Sequence, residues 1–123
     1  MKKNYIVFLP VMLFITNVLF GQYGNLDANF AKGGRVLTAF GKYNSDAKGV
    51  VVQPDGKIIA AGDAYNYNSS YSQFALVRYN RDGSLDDTFG SKGKVTSRFL
   101  GIQLFFHDMA LQAEGKMTIA GVG

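Results

Sequence analysis

The chain has 123 residues, 47% of them hydrophobic, with fifteen Gly, ten Phe, seven Tyr and neither Trp nor Cys. The absence of Cys excludes disulfides, thiolate metal sites and a cysteine nucleophile. The formal charge of +4 includes Lys2 and Lys3; the remaining 11 basic and 9 acidic residues leave +2, too weak and too scattered for a nucleic-acid partner.

Lys2-Lys3 is followed by an apolar run from about Tyr5 to Phe20, and then by Gly21-Gln22. A basic head, an apolar middle and a small terminal residue make a secretory signal peptide, here residues 1–21. The run is shorter than the ~20 residues of a spanning helix and carries Pro10, Thr16 and Asn17. A secreted, periplasmic or cell-surface location is therefore expected, with no stable membrane insertion after cleavage.

Residues 26–64 align on 85–123 without a gap, a period of 59. The identical pairs include Leu26/Leu85, Asp27/Asp86, Phe30/Phe89, Gly34/Gly93, Val36/Val95, Gly56/Gly115, Lys57/Lys116 and Gly62/Gly121. Such a period points to a repeat architecture. The first repeat takes in residues 22–84, and the second, 85–123, stops short of a full period.

Within the first period four strands are expected: Arg35–Phe40, Asp46–Gln53, Lys57–Asp63 and Gln73–Asn80. The middle two form a hairpin through Pro54-Asp55-Gly56. Pro presets φ at the first corner, Asp tolerates the second, and Gly takes positive φ. The second copy, Ala113-Glu114-Gly115, keeps only the glycine, as expected if positive φ is the strict requirement. Asn80-Arg81-Asp82-Gly83 is a further turn of the same chemistry. The second period supplies strands near Lys94–Phe99, His107–Gln112 and Lys116–Gly121. Ala60-Ala61-Gly62 and Ile119-Ala120-Gly121 end in small residues, so another backbone can come close there.

Val50-Val51-Val52 and Phe74–Val77 are apolar without alternation, the mark of strands covered on both faces. Four antiparallel strands per period, covered by their neighbours, describe a β-propeller blade. The expected fold is all-β: one complete blade and part of a second. A propeller needs about 4–8 blades, so the chain is expected to be the N-terminal part of a longer protein, or a truncated gene, built with further repeats of the same kind.

The motifs Leu85-Asp86-Asp87-Thr88-Phe89-Gly90, Gly93-Lys94-Val95, Gln53-Pro54-Asp55-Gly56-Lys57-Ile58 and Phe74-Ala75-Leu76-Val77-Arg78-Tyr79-Asn80-Arg81-Asp82-Gly83 resemble the uncharacterised delta-60 repeat family. The resemblance covers about residues 25–121. It implies tandem β-propeller repeats of large secreted or surface bacterial proteins, and it carries no catalytic residues. The second copy departs from the pattern at Leu104-Phe105-Phe106-His107-Asp108, where the first has Ser45-Asp46-Ala47-Lys48-Gly49.

Three candidate sites stand out. Tyr65, Asn66, Tyr67 and Tyr71 fall in the stretch between the third and fourth strands. Tyr supplies rigid contact area and Asn supplies hydrogen bonds, which suits a protein or glycan ligand. Asn80, Asp82, Ser84 and Asp86 are spaced by two, as oxygen ligands are in a calcium loop, with Asn80, Asp82 and Asp86 the candidate metal ligands, but the loop lacks the bidentate Glu, and turn chemistry accounts for the same residues. His107-Asp108 is the one His with an acidic neighbour; adjacent strand residues point to opposite faces, so they do not form a catalytic pair. Lys57 and Lys116 read as solvated strand starts. No cofactor is called for. The reading is a non-enzymatic secreted or cell-surface repeat module, serving as scaffold or in binding protein or glycan. The alternative is the propeller domain of a secreted enzyme, for example one acting on polysaccharides, with its catalytic residues outside this chain.

Overall fold

A computed structural model describes residues 24–68, 71–98 and 102–123. The signal segment 1–21 and its cleavage point lie outside the described residues, as do Ser69, Ser70 and Phe99. Among the described residues there are six strands: β1 (Asn44–Val52), β2 (Ile58–Asn66), β3 (Tyr71–Tyr79), β4 (Lys94–Ser97), β5 (Phe105–Leu111) and β6 (Met117–Val122). The first four form one antiparallel sheet in the order β1-β2-β3-β4, and β5-β6 form a separate hairpin. No helix among the described residues is long and apolar enough to cross a membrane.

The hairpin turns follow from their residues. In β1–β2, Gln53 N donates to Lys57 O at 2.8 Å and Gly56 N to Gln53 O at 2.8 Å, with Gly56 at φ 82°. In β5–β6, Gln112 N donates to Lys116 O at 2.8 Å and Gly115 N to Gln112 O at 2.9 Å, with Gly115 at φ 78°. The loss of Pro and the change of Asp to Glu leave this geometry intact, because the positive φ alone demands a specific residue. The same pattern closes Asn80–Ser84 around Gly83, at φ 84°.

One expected strand is corrected. Residues 35–40 form no strand; they make only the isolated bridges Ala31–Arg35 and Phe40–Tyr43. The four-stranded sheet instead takes its last strand, β4, from the start of the next period. Leu76 pairs with Val95 and Val77 with Lys94. The reason is local. The Asn80 turn and the tight 85–93 segment carry the chain straight back along the free edge of β3, with Asp86 N donating to Arg78 O and Arg78 N to Gly93 O, both at 2.9 Å. The sheet and the sequence period are therefore offset by one strand.

The sheet has two different faces. Val51, Ile59, Ala61, Leu76 and Val95 point to one side, where Met109, Met117, Ile119 and the buried Phe106 of the hairpin pack on them. This is the core, and each large aliphatic or aromatic side chain fully buried there contributes about 1.5–3 kcal/mol. On the other side lie Ala64, Ala75, Val77 and Tyr79, all buried. Residues 36–40 cross over them, and a cavity of about 220 Å³ remains between that segment and the sheet. Thr38 Oγ1 meets Tyr79 Oη at 2.6 Å, and Lys94 Nζ donates to Ala39 O at 2.7 Å. Val50 and Val52, further along the same face, stay exposed.

The first strand of each hairpin, β1 and β5, carries a bulge at the same place in the period. The register of β1 shifts between Ala47 and Gly49, and that of β5 between Phe106 and Asp108. The extra residues are Lys48 and His107, which are 59 apart. A bulge breaks the alternation of side chains, so the alternation expected at His107-Asp108 does not hold. The two still form no pair: the Asp108 carboxylate turns back to accept from Met109 N at 2.8 Å.

Candidate functional site

The tyrosine stretch is more ordered than its composition suggests. Tyr65 and Asn66 complete β2, and Tyr71 opens β3, with Asn66 opposite Tyr71 and Tyr65 opposite Ser72. Tyr favours strands strongly enough to extend both beyond the expected ends at Asp63 and Gln73. The connection thus begins at Tyr67. Tyr67 is 79% exposed and Tyr71 52%.

The rings of Tyr65 and Tyr67 meet edge to face, 5.0 Å apart at 84°. Their hydroxyls are 3.2 Å apart, and Tyr65 Oη donates to Asp46 Oδ2 at 3.3 Å. The hydrogen bond with Tyr67, partial desolvation and the nearby Asp46 charge push the Tyr65 phenol up to about 12. It therefore stays a donor throughout the neutral range. On the other side of the sheet end, Tyr43 and Gln73 adjoin Tyr71 and Arg98. They continue into an open groove of about 350 Å³ lined by Phe40, Lys94 and Thr96 among others. This end of the blade joins exposed phenol rings to hydrogen-bonding groups and a shallow groove.

A second cluster sits at the opposite end of the strands. Asp86 is only 4% exposed. Its Oδ2 accepts from Lys57 Nζ at 2.8 Å and Arg78 Nε at 2.7 Å. Its Oδ1 accepts from Thr88 Oγ1 at 2.7 Å and Thr88 N at 3.1 Å. The Phe89 ring lies 4.6 Å from the Arg78 guanidinium carbon, a cation–π contact. Lys57 is therefore not a solvated strand start, contrary to the expectation above. Lys116, its repeat counterpart, is, with Glu114 at 3.1 Å on the surface. The Lys57 ammonium and Thr88 hydroxyl, followed by the Arg78 charge, hold the Asp86 carboxyl far below its ordinary range.

The sign of that shift sets a pH window. A depressed folded value means that the link stabilises fully above the ordinary 3.8 and is lost as pH falls below it. Asp86→Asn is expected to lower the melting temperature by several degrees at neutral pH. Its deficit should shrink as pH drops below about 4. Thermal melts of both chains from pH 7 to pH 2 check this; a deficit constant with pH would show that the carboxylate charge is not its source.

The side chains of Asn80, Asp82 and Asp86 are engaged separately. Asn80 Nδ2 donates to Ser84 Oγ at 3.0 Å, and Asp82 Oδ1 accepts from Ser84 N and Oγ at 2.9 and 2.6 Å. The Ser84 hydroxyl, then its N–H, hold the Asp82 carboxyl low. Asp86 faces two cations. Among the described residues no three His, Cys, Asp or Glu side chains are grouped to hold a metal. A third polar link, which the sequence reading missed, joins the two sheets: buried Asp63 accepts from Phe106 N at 2.6 Å and from Lys48. Its one sequence signal is a lone Asp following the apolar and small residues Ile58 to Gly62.

Residues 53–89 match a family model described as a β-propeller domain of unknown function, DUF5122. No curated protein and no solved structure matches the chain. The matched span runs from the β1–β2 turn through β3 to Phe89, and so contains Lys57, Arg78 and Asp86 together. The all-β antiparallel architecture and this match agree: the chain carries a repeat of the β-propeller type, similar over residues 53–89 to that family.

Proposed function

We propose that the chain is a non-enzymatic repeat module of a secreted or cell-surface protein, and that the tyrosine end of its blade contacts a protein or glycan. The observation that carries the reading is the exposure of Tyr67 and Tyr71 beside the Tyr65–Asp46 hydrogen bond. Large exposed phenol rings on a rigid strand pair lose little conformational entropy on binding. They stack on sugar or side-chain surfaces while their hydroxyls and Asn66 supply direction. Support for export comes from the basic, apolar and small-residue order of residues 1–21.

The test is a glycan and protein-partner binding screen with the parent chain and with Tyr65, Tyr67 and Tyr71 all changed to Ser. Loss of a binding signal, at unchanged melting temperature, is the expected result. Binding that survives the triple change would place the contact elsewhere.

A further inference from the structure

One groove of this blade holds positive charge that no acid balances. Among the described residues, three basic residues are half-buried: Lys57, Arg78 and Lys94. Lys57 and Arg78 both meet the Asp86 carboxylate. Lys94 meets no carboxylate among the described residues. Its ammonium donates to Ala39 O at 2.7 Å and lies 5.7 Å from the centre of the Phe40 ring. An ammonium carries three donors, so one carbonyl leaves two of them for a further acceptor.

A second cation stands at the other end of the same groove. Phe74 lies opposite Ser97, so Gln73 and Arg98 are the next residues along β3 and β4. Arg98 is exposed and shares a small hollow with Tyr43, Tyr71 and Gln73. Tyr43 and Gln73 also line the groove of about 350 Å³ that runs past Phe40 and Thr96 to Lys94. Among the described residues lining both hollows there is no Asp or Glu. Four residues of extended chain separate Lys94 from Arg98, about 13 Å. Nor does the repeat account for this arrangement. Tyr43 and Arg98 stand where the other copy has Ile102 and Ala39, so the backbone geometry common to both copies does not call for them.

We propose that this groove binds a carboxylate-bearing polysaccharide, with Arg98 and Lys94 each receiving a carboxylate and a sugar ring lying against Tyr43 between them. The guanidinium fork matches a carboxylate with two parallel hydrogen bonds, while Lys acts as a point charge. Two cations about 13 Å apart suit an extended polymer with recurring acid groups, not one small anion. Tyr43 offers an apolar ring face to the sugar and a hydroxyl to its rim. The inference rests on the function proposed above only in taking a glycan as the ligand; it adds the ligand's charge and needs neither Tyr65 nor Tyr67.

The test is calorimetric titration of the full chain with two polyuronates, polygalacturonate and alginate. Dextran serves as the neutral glycan and polyglutamate as the acidic peptide. Arg98→Gln removes a charge that holds no hydrogen bond or ion pair among the described residues, and Lys94→Gln keeps a donor for Ala39 O. Both chains should melt with the parent. A polyuronate is expected to bind at least about tenfold more tightly than dextran or polyglutamate. Each substitution should weaken that binding about tenfold, and added salt should weaken it in the parent more than in either variant. Failure of both polyuronates to bind, equal binding of dextran or polyglutamate, or an Arg98→Gln chain that binds like the parent overturns the proposal. The tyrosine reading falls separately. A neutral glycan kept by Arg98→Gln but lost when Tyr65, Tyr67 and Tyr71 become Ser upholds that reading and sinks this one. Polyuronate binding lost with Arg98→Gln and kept by the triple change does the reverse.

Discussion

Phe106→Ala is expected to cost about 3–5 kcal/mol, the range for emptying a buried aromatic site. Phe106 is 4% exposed, and its ring meets Phe74 edge to face at 6.4 Å and 89°. It packs with Ile59, Ala61 and Leu76, so it belongs to the core of the four-stranded sheet although it sits on the hairpin. A two-stranded hairpin is marginal by itself. Losing the ring also loosens the Phe106 N–Asp63 bond that ties the two sheets. The expected outcome is that β5–β6 separates before the larger sheet unfolds. Hydrogen exchange at the β5 and β6 amides, with urea melts, would read this directly. Phe105→Ala, next door but 46% exposed, should cost under about 1 kcal/mol. Equal losses from the two changes would mean that Phe106 does not organise the interface.

That residue shows what the sequence could and could not tell. Leu104-Phe105-Phe106 looked like a departure from the repeat, since small and polar residues stand there in the first copy. In space Leu104 and Phe106 are buried, because the second copy covers the first sheet's face with β5 and the residue before it. Turn glycines were legible because positive φ is a one-residue requirement. The strands were legible because their apolar runs are long. The closing of the sheet by β4 was not: it pairs residues across the period boundary, and an alignment of one copy on the other cannot show which copy a strand joins. For the same reason Lys57/Lys116 and Asp27/Asp86 were visible as recurring pairs, while the Lys57–Asp86 bond between one period and the next was not. The tyrosine stretch lies between the third and fourth expected strands, outside their apolar pattern, and Tyr65 and Tyr71 go instead to strand ends.

The small residues Ala60-Ala61-Gly62, at the middle of β2, mark a place where backbones come close, and Gly62 makes that reading quantitative. It lies opposite Ala47 on one side and Ala75 on the other, at the bulge of β1. A Cβ there would land inside the van der Waals shell of the Asp46 carbonyl oxygen, 2.9 Å from the Asp46 carbonyl carbon and 3.1 Å from Ala47 Cα. These are backbone atoms of β1, paired to β2 along the strand, so they cannot swing away as a flexible side chain would. Gly121, 59 residues on, meets the Phe105 carbonyl oxygen and also the Phe74 ring of β3. That copy lies in a separate two-stranded hairpin, so relief there needs a shift of the hairpin and of one side-chain ring rather than of a strand of the main sheet. Gly62→Val is therefore expected to cost on the order of 3 kcal/mol or more, the upper end for overpacking, because relief requires β1 to shift along its whole length. Gly121→Val should cost less, leaving the four-stranded sheet cooperative. Circular dichroism melts of the two variants beside the parent give the comparison. A Gly62→Val chain that melts with the parent would show that β1 and β2 do not approach as closely as their bulged register requires.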